Sequence, residues 1–259
     1  RHVLADFALL ILRPGHMIVI RGVKEKMAVQ FVGTGVGFPV PFSVRAQRPA
    51  GRNDLPQAVG LLSLAVFSFF PTTNFLENLT KSLVFLLLIP YLFVRIVLKE
   101  NLSDFGMKFK LEKEGFIGSF LLVAISMLVI YPLANYTSFP LFYRLSPTIS
   151  GNFLMFVFYE LVLVNLLLLF QEYFFKGFII SICREKFSKL SIIIQAAIYL
   201  IPLAFVSASL WNIIPMAIIS IFGGILAYRT KTFFYSYLGS LLFLIVLDSY
   251  LIFLSQKSL

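Results

Sequence analysis

Gln171-Glu172-Tyr173-Phe174-Phe175-Lys176-Gly177 places a carboxylate, an amine and an amide inside a stretch that is otherwise apolar. An ionised side chain at the centre of a bilayer costs about 2.5–3.5 kcal/mol even on the gentler insertion scales. On a helix Glu172 and Lys176 are i,i+4 neighbours about 40° apart, so each can neutralise the other. Asn165 falls two turns before Glu172 on nearly the same face, and Glu160 with Gln171 forms a second polar stripe. The chemistry open to such a set is proton transfer, ion or substrate passage, or a structural ion pair that fixes helix rotation. Ser207, Ser209 and Ser240 add hydroxyls that Lys176 could activate in a serine–lysine hydrolase. Glu172 opposes that role, because a neighbouring carboxylate favours the charged ammonium.

The elements that must hold these residues follow from composition. The chain is 59% hydrophobic, 16% aromatic and 13% charged, with a mean hydropathy of +0.91. This excludes an ordinary soluble domain and predicts an all-α polytopic membrane bundle. Apolar blocks separated by short polar punctuation predict about seven spans, near 57–72, 80–98, 116–134, 152–182, 190–210, 213–228 and 233–254. The first and sixth are the shortest. Gly223-Gly224 in the sixth would admit close helix approach.

The net charge of +10 suggests nucleic acid only if the chain were soluble. With seven spans, 18 Lys and Arg fall on one side: eight in 1–56, five in 95–113, three in 184–189 and two in 229–231. Lys81, Arg144 and Lys257 fall on the other. That asymmetry places the amino terminus in the cytoplasm of a cell-membrane protein whose partner is the lipid bilayer, with no nucleic acid. Trp211-Asn212 then reads as an interfacial aromatic and a turn on the far side. Asn78-Leu79-Thr80 and Asn135-Tyr136-Thr137 match the glycosylation sequon on that same side.

Residues 1–56 form a separate cytoplasmic segment, holding six of the fifteen glycines. The apolar runs Met17–Ile20 and Ala28–Val32 are too short to span. The chain opens on Arg1 rather than Met, and this segment is expected to be truncated or non-native; residues 57–259 are the transmembrane domain. Cys183, the single cysteine, excludes an internal disulfide and a Cys-based zinc site, and an unmodified thiol is expected.

Gln171-Glu172-x-x-x-Lys176-Gly177 resembles the E-E-x-x-x-R-G signature of the CAAX-protease and bacteriocin-processing (CPBP, or Abi) family of intramembrane proteases. The resemblance runs in order from about residue 100 to 250. Leu102–Lys108 looks like the family's short basic segment, and Phe205-Val206-Ser207-Ala208-Ser209 falls where the family has F-x-x-x-H. Gly224–Thr232 looks like its small-residue helix. Ser240 and Leu244 fall at its second histidine and its Asn/Asp. The resemblance implies an endopeptidase in which the first glutamate and the F-x-x-x-H histidine activate water, while the later histidine and Asn/Asp hold the oxyanion.

Every departure lies on that chemistry: the positions read Gln171, Ser209, Ser240 and Leu244, with Glu172 and Lys176 retained. A glutamine accepts no proton at neutral pH, and a serine does not replace imidazole as a base. The histidines of the chain are His2 and His16, so residues 57–259 hold none. The expectation is a catalytically inactive homologue with no confident catalytic residue, no metal and no cofactor. It would act by binding a membrane protein or a lipidated peptide. The alternatives are a Ser/Lys endopeptidase and a small transporter lined by Glu160, Glu172 and Asp248. Against the latter, the sequence has no internal repeat and no paired broken helices.

Overall fold

The computed structural model describes residues 18–23, 26–31 and 55–257, apart from 71–73, 110, 144, 207–210 and 212. The chain divides into two compact units, Arg1–Asn53 and Asp54–Leu259. In the first, β1 (Ile18–Val23) pairs antiparallel with β2 (Lys26–Phe31), with Val23 opposite Lys26 at the turn. The apolar runs of this segment therefore form a hairpin; at about 3.4 Å per residue neither strand is long enough to cross a bilayer.

The second unit is helical. Its helices are α1 (Leu55–Phe69), α2 (Phe75–Leu98), α3 (Lys113–Tyr136), α4 (Phe153–Phe187), α5 (Leu190–Val206), α6 (Ile213–Thr230) and α7 (Phe234–Lys257). Among the described residues five of these, α2, α3, α4, α6 and α7, are long and apolar enough to cross a membrane. This is a helical membrane protein; α1 and α5 are also apolar but shorter than these five. Helix α1 has 15 residues and α5 has 17, which at a 1.5 Å rise reach about 22 and 26 Å against a hydrocarbon core of about 30 Å.

Local sequence explains the helix starts. The Asn74 side chain accepts from Glu77 N at 2.9 Å and donates back to Glu77 Oε1, capping α2. Asn152 caps α4 by accepting from Met155 N at 3.2 Å. Proline inside α2 is tolerated because π-helical turns at Leu83–Leu88 and Phe93–Leu98 flank Pro90 and redistribute the backbone bonds its missing N–H would disturb.

In lipid the apolar side chains gain little by leaving the surroundings for each other, so association depends on close packing and internal polar contacts. Two apolar clusters result. One joins Leu64, Leu86, Phe93, Phe105, Phe174 and Phe178; the other joins Leu122, Ile130, Phe139, Ile219, Phe243 and Leu247. The tightest pairing is α3 with α7, where Gly239 approaches the Ser119 backbone and the Ser119 hydroxyl donates to Tyr235 O at 2.7 Å. Phe69, Phe120, Leu128 and Phe153 remain on the outer surface, the surface that faces lipid in such a bundle.

The segment between α2 and α3 is held down by backbone contacts. A short 3₁₀ turn (Leu102–Phe105) ends at Gly106, whose φ of 83° suits glycine. A Cβ there would lie 2.7 Å from Gly177 Cα. Gly106 O accepts from Phe233 N at 3.2 Å, and Lys108 O accepts from the Thr232 hydroxyl at 2.7 Å. Gly106 and Gly177 thus let this loop sit directly on α4 beneath the start of α7. Gly106→Ala adds both left-handed strain and a clash, and is expected to destabilise the bundle by about 1–3 kcal/mol. The check is thermal unfolding in detergent micelles, where an unchanged midpoint would contradict this packing.

Candidate functional site

The polar core lies between the two apolar clusters. Helix α4 contributes Gln171, Glu172 and Lys176, the last of these from a π-helical stretch, Tyr173–Ile179. π turns are frequent at functional positions because they swing side chains away from the regular i,i+4 rows. Glu172 is 3% exposed and Lys176 5%. Lys176 Nζ pairs with Glu172 Oε1, donates to Ile219 O of α6 at 2.9 Å, and reaches Ser240 Oγ of α7 at 3.5 Å. An ammonium has three donors, and these partners use all three. The Ser236 hydroxyl donates to Glu172 Oε2 at 2.8 Å, so the carboxylate is held on both oxygens.

Gly223 makes room for this. A Cβ on Gly223 would meet both Lys176 Nζ and Ser236 Oγ. One on Gly224 would come within 2.8 Å of Gln195 Oε1. The glycine pair therefore does more than allow helices to approach: it leaves the volume that the lysine head and the Gln195 amide occupy. Gln195 in turn donates to Ser220 Oγ at 3.1 Å. Tyr199 donates to Gln171 Oε1 at 3.3 Å and packs edge-on against Phe175. Two turns before Glu172, Asn165 accepts from the Tyr237 hydroxyl.

Two cavities meet at Gln171. The inner one, about 10 Å³, is bounded by Gln171, Glu172, Lys176, Gln195, Tyr199 and Ser220 and is near the minimum for one water. The outer one, about 570 Å³, runs between α1, α2, α4 and α5. Its walls include Leu64, Phe67, Leu86, Phe175 and Leu203, and Gln171 and Tyr199 supply polar floor groups. At its rim stand Asn74, Asn78 and Lys81. The Lys81 ammonium lies 4.5 Å over the Phe67 ring and donates to Phe70 O at 3.2 Å.

The sequence-predicted residues thus separate into groups. Gln171, Glu172, Lys176 and Ser240 come together. Leu244 does not join them: it is buried in the apolar cluster with Leu168, Phe243 and Leu247. Phe205 is a helical position of α5, and Ser207 and Ser209 lie outside the described residues. Ser220, Gly223, Ser236, Gln195 and Tyr199 were missed as members of this centre. Ser220 and Gly223 lie three residues apart on α6, and Gln195 and Tyr199 four apart on α5, which is the only signal each pair carries. No known protein family, curated protein or solved structure matches this chain.

Chemically, the centre is closed. Its one carboxylate and its one ammonium neutralise each other, and Ser240 is fully buried. Among the described residues no group of three or more His, Cys, Asp or Glu side chains comes together to hold a metal. Breaking such a pair from one side leaves a buried charge uncompensated, at a cost of about 3–5 kcal/mol. Glu172→Gln and Lys176→Met alone are each expected to destabilise by that order, and the double variant by clearly less. A double-mutant cycle in bicelles measures the coupling; zero coupling would refute the pairing. Gly223→Ala, which pushes a methyl against the lysine head, is expected to cost about 1–3 kcal/mol in the same assay.

Proposed function

We propose that this chain is a seven-span cell-membrane protein of CAAX-protease-like architecture that has lost proteolysis and acts by binding. Its amino terminus is cytoplasmic, and its ligand is an apolar or lipidated peptide segment received in the outer groove. The observation that carries this reading is the position of Gln171. It lines a groove of about 570 Å³, and the sequence resemblance aligns it with the family's water-activating glutamate. A groove of this size with apolar walls and a few polar groups suits a peptide-sized ligand. Gln171 offers that ligand hydrogen bonds but no general base.

The serine–lysine alternative takes its support from the 3.5 Å approach of Lys176 Nζ to Ser240 Oγ. Two features oppose it. Lys176 Nζ is engaged by Glu172 and by Ile219 O, so activating a hydroxyl would mean breaking the contact with Glu172. Ser240 is also fully buried and lines neither of these two cavities.

The test uses the full chain reconstituted in nanodiscs with a prenylated peptide. No cleavage product is expected by mass spectrometry, while saturable binding is expected by fluorescence. Ser68→Trp, which fills the groove from α1, should weaken that binding at least tenfold. Cleavage by the wild type that disappears in Ser240→Ala would replace this reading with the hydrolase. Absence of saturable binding would remove it altogether.

A further inference from the structure

Away from the Glu172–Lys176 centre, α4 and α7 bring a second pair of ionisable groups together, Glu160 and Asp248. Glu160 is 1% exposed and Asp248 4%. They lie toward the start of α4 and in the last half of α7, beside the connection between α3 and α4 that carries Tyr143. The surroundings are apolar: Val164, Leu244, Leu247 and Leu251 belong to the cluster packed there, with Phe139 and Trp211.

The electrostatic neighbours of the two carboxyls are each other and the Tyr143 and Tyr159 phenols. No basic group among the described residues offsets them; Arg144 lies outside those residues. The Tyr143 phenol lies within electrostatic reach of Asp248. Burial first, and then the Asp248 carboxyl, hold that hydroxyl well above the ordinary phenol range, so it stays neutral.

The hydrogen bonding of the two carboxyls is incomplete within the chain. Both oxygens of Glu160 and Oδ1 of Asp248 are buried with no hydrogen-bond donor among the described residues. Glu160 thus points an unpartnered carboxyl at a second carboxyl, in surroundings where two adjacent negative charges are not sustained. A single proton repairs both defects. It removes one charge and turns an acceptor–acceptor contact into a short O–H···O⁻ bond. A divalent metal fits less well, because no group of three His, Cys, Asp or Glu side chains converges here among the described residues.

We propose that Glu160 and Asp248 form a proton-binding site that holds one proton shared between the two carboxyls at neutral pH. The proton comes from bulk water, and the only bond formed is the O–H. The ligand is thus the smallest cation, and the site is distinct from the groove and from the Glu172–Lys176 pair.

Infrared spectroscopy of the full chain in nanodiscs tests this through the carbonyl stretch of a protonated carboxylic acid. At neutral pH the wild type should show such a band, shifted in deuterium oxide, and Glu160→Gln/Asp248→Asn together should remove it. Tyr143→Phe, which keeps both carboxyls and removes only the hydroxyl beside Asp248, should move the band without abolishing it. This second variant keeps the test decisive if the double variant fails to fold. No band in the wild type, a band that survives the double substitution, or one that Tyr143→Phe leaves unmoved would each overturn the proposal. A band that fades as sodium replaces choline would instead assign the site to a metal cation, and would overturn it as well.

Discussion

An ammonium taken into a bilayer must keep a counter-ion and find an acceptor for each of its three hydrogens, and the geometry around Lys176 meets that requirement from three helices. Glu172 supplies the counter-charge from the same helix, Ile219 a carbonyl from α6, and Ser240 a hydroxyl from α7. Ser236 completes the carboxylate. Because the acceptors come from separate helices, the pair fixes how α4, α6 and α7 are rotated about their axes. A buried ion pair is weak evidence of stabilisation, yet breaking one from a single side is costly. This asymmetry makes the pair a specifier of arrangement.

The small residues follow from the same constraint. Gly223 faces the lysine head, Gly224 the Gln195 amide, Gly177 the loop at Phe105–Gly106, and Gly239 the Ser119 backbone. Each removes a side chain where a polar group or another backbone needs the space. In lipid, where apolar side chains gain little by clustering, such close approaches do much of the work of association. The aromatic residues fill what remains, with Phe174 edge-on to Phe175 and tilted against Phe178 in the cluster that includes Leu64 and Leu86.

The two buried ionisable pairs solve the bilayer problem in opposite ways. Glu172 and Lys176 carry compensating charges and are saturated with hydrogen bonds. Glu160 and Asp248 are both acids, and both oxygens of Glu160 and Oδ1 of Asp248 have no hydrogen-bond partner among the described residues. The first arrangement is closed to further chemistry, and the second is incomplete until a cation joins it. The groove ending at Gln171 is a third kind of feature, apolar in its walls with only neutral polar groups at its floor.

Much of this was legible in the residues themselves. The i,i+4 spacing of Glu172 and Lys176 determines their pairing, because one helix places both on one face whatever surrounds it. The apolar blocks determine the seven helices, since hydropathy acts locally along the chain. Their lengths were less legible: α1 has 15 residues, shorter than a usual span, although its apolar run reads like the others. The centre's outer ring was not legible. Ser236, Gln195 and Ser220 read as isolated polar residues in apolar helices, and only the rotation of α5, α6 and α7 turns them inward. Leu244 shows the reverse, since spacing aligns it with a polar position while packing seats it among Leu168, Phe243 and Leu247. Glu160 and Asp248 stand 88 residues apart. Their meeting is a property of the fold alone, because nothing local in either helix tells one acid of the other.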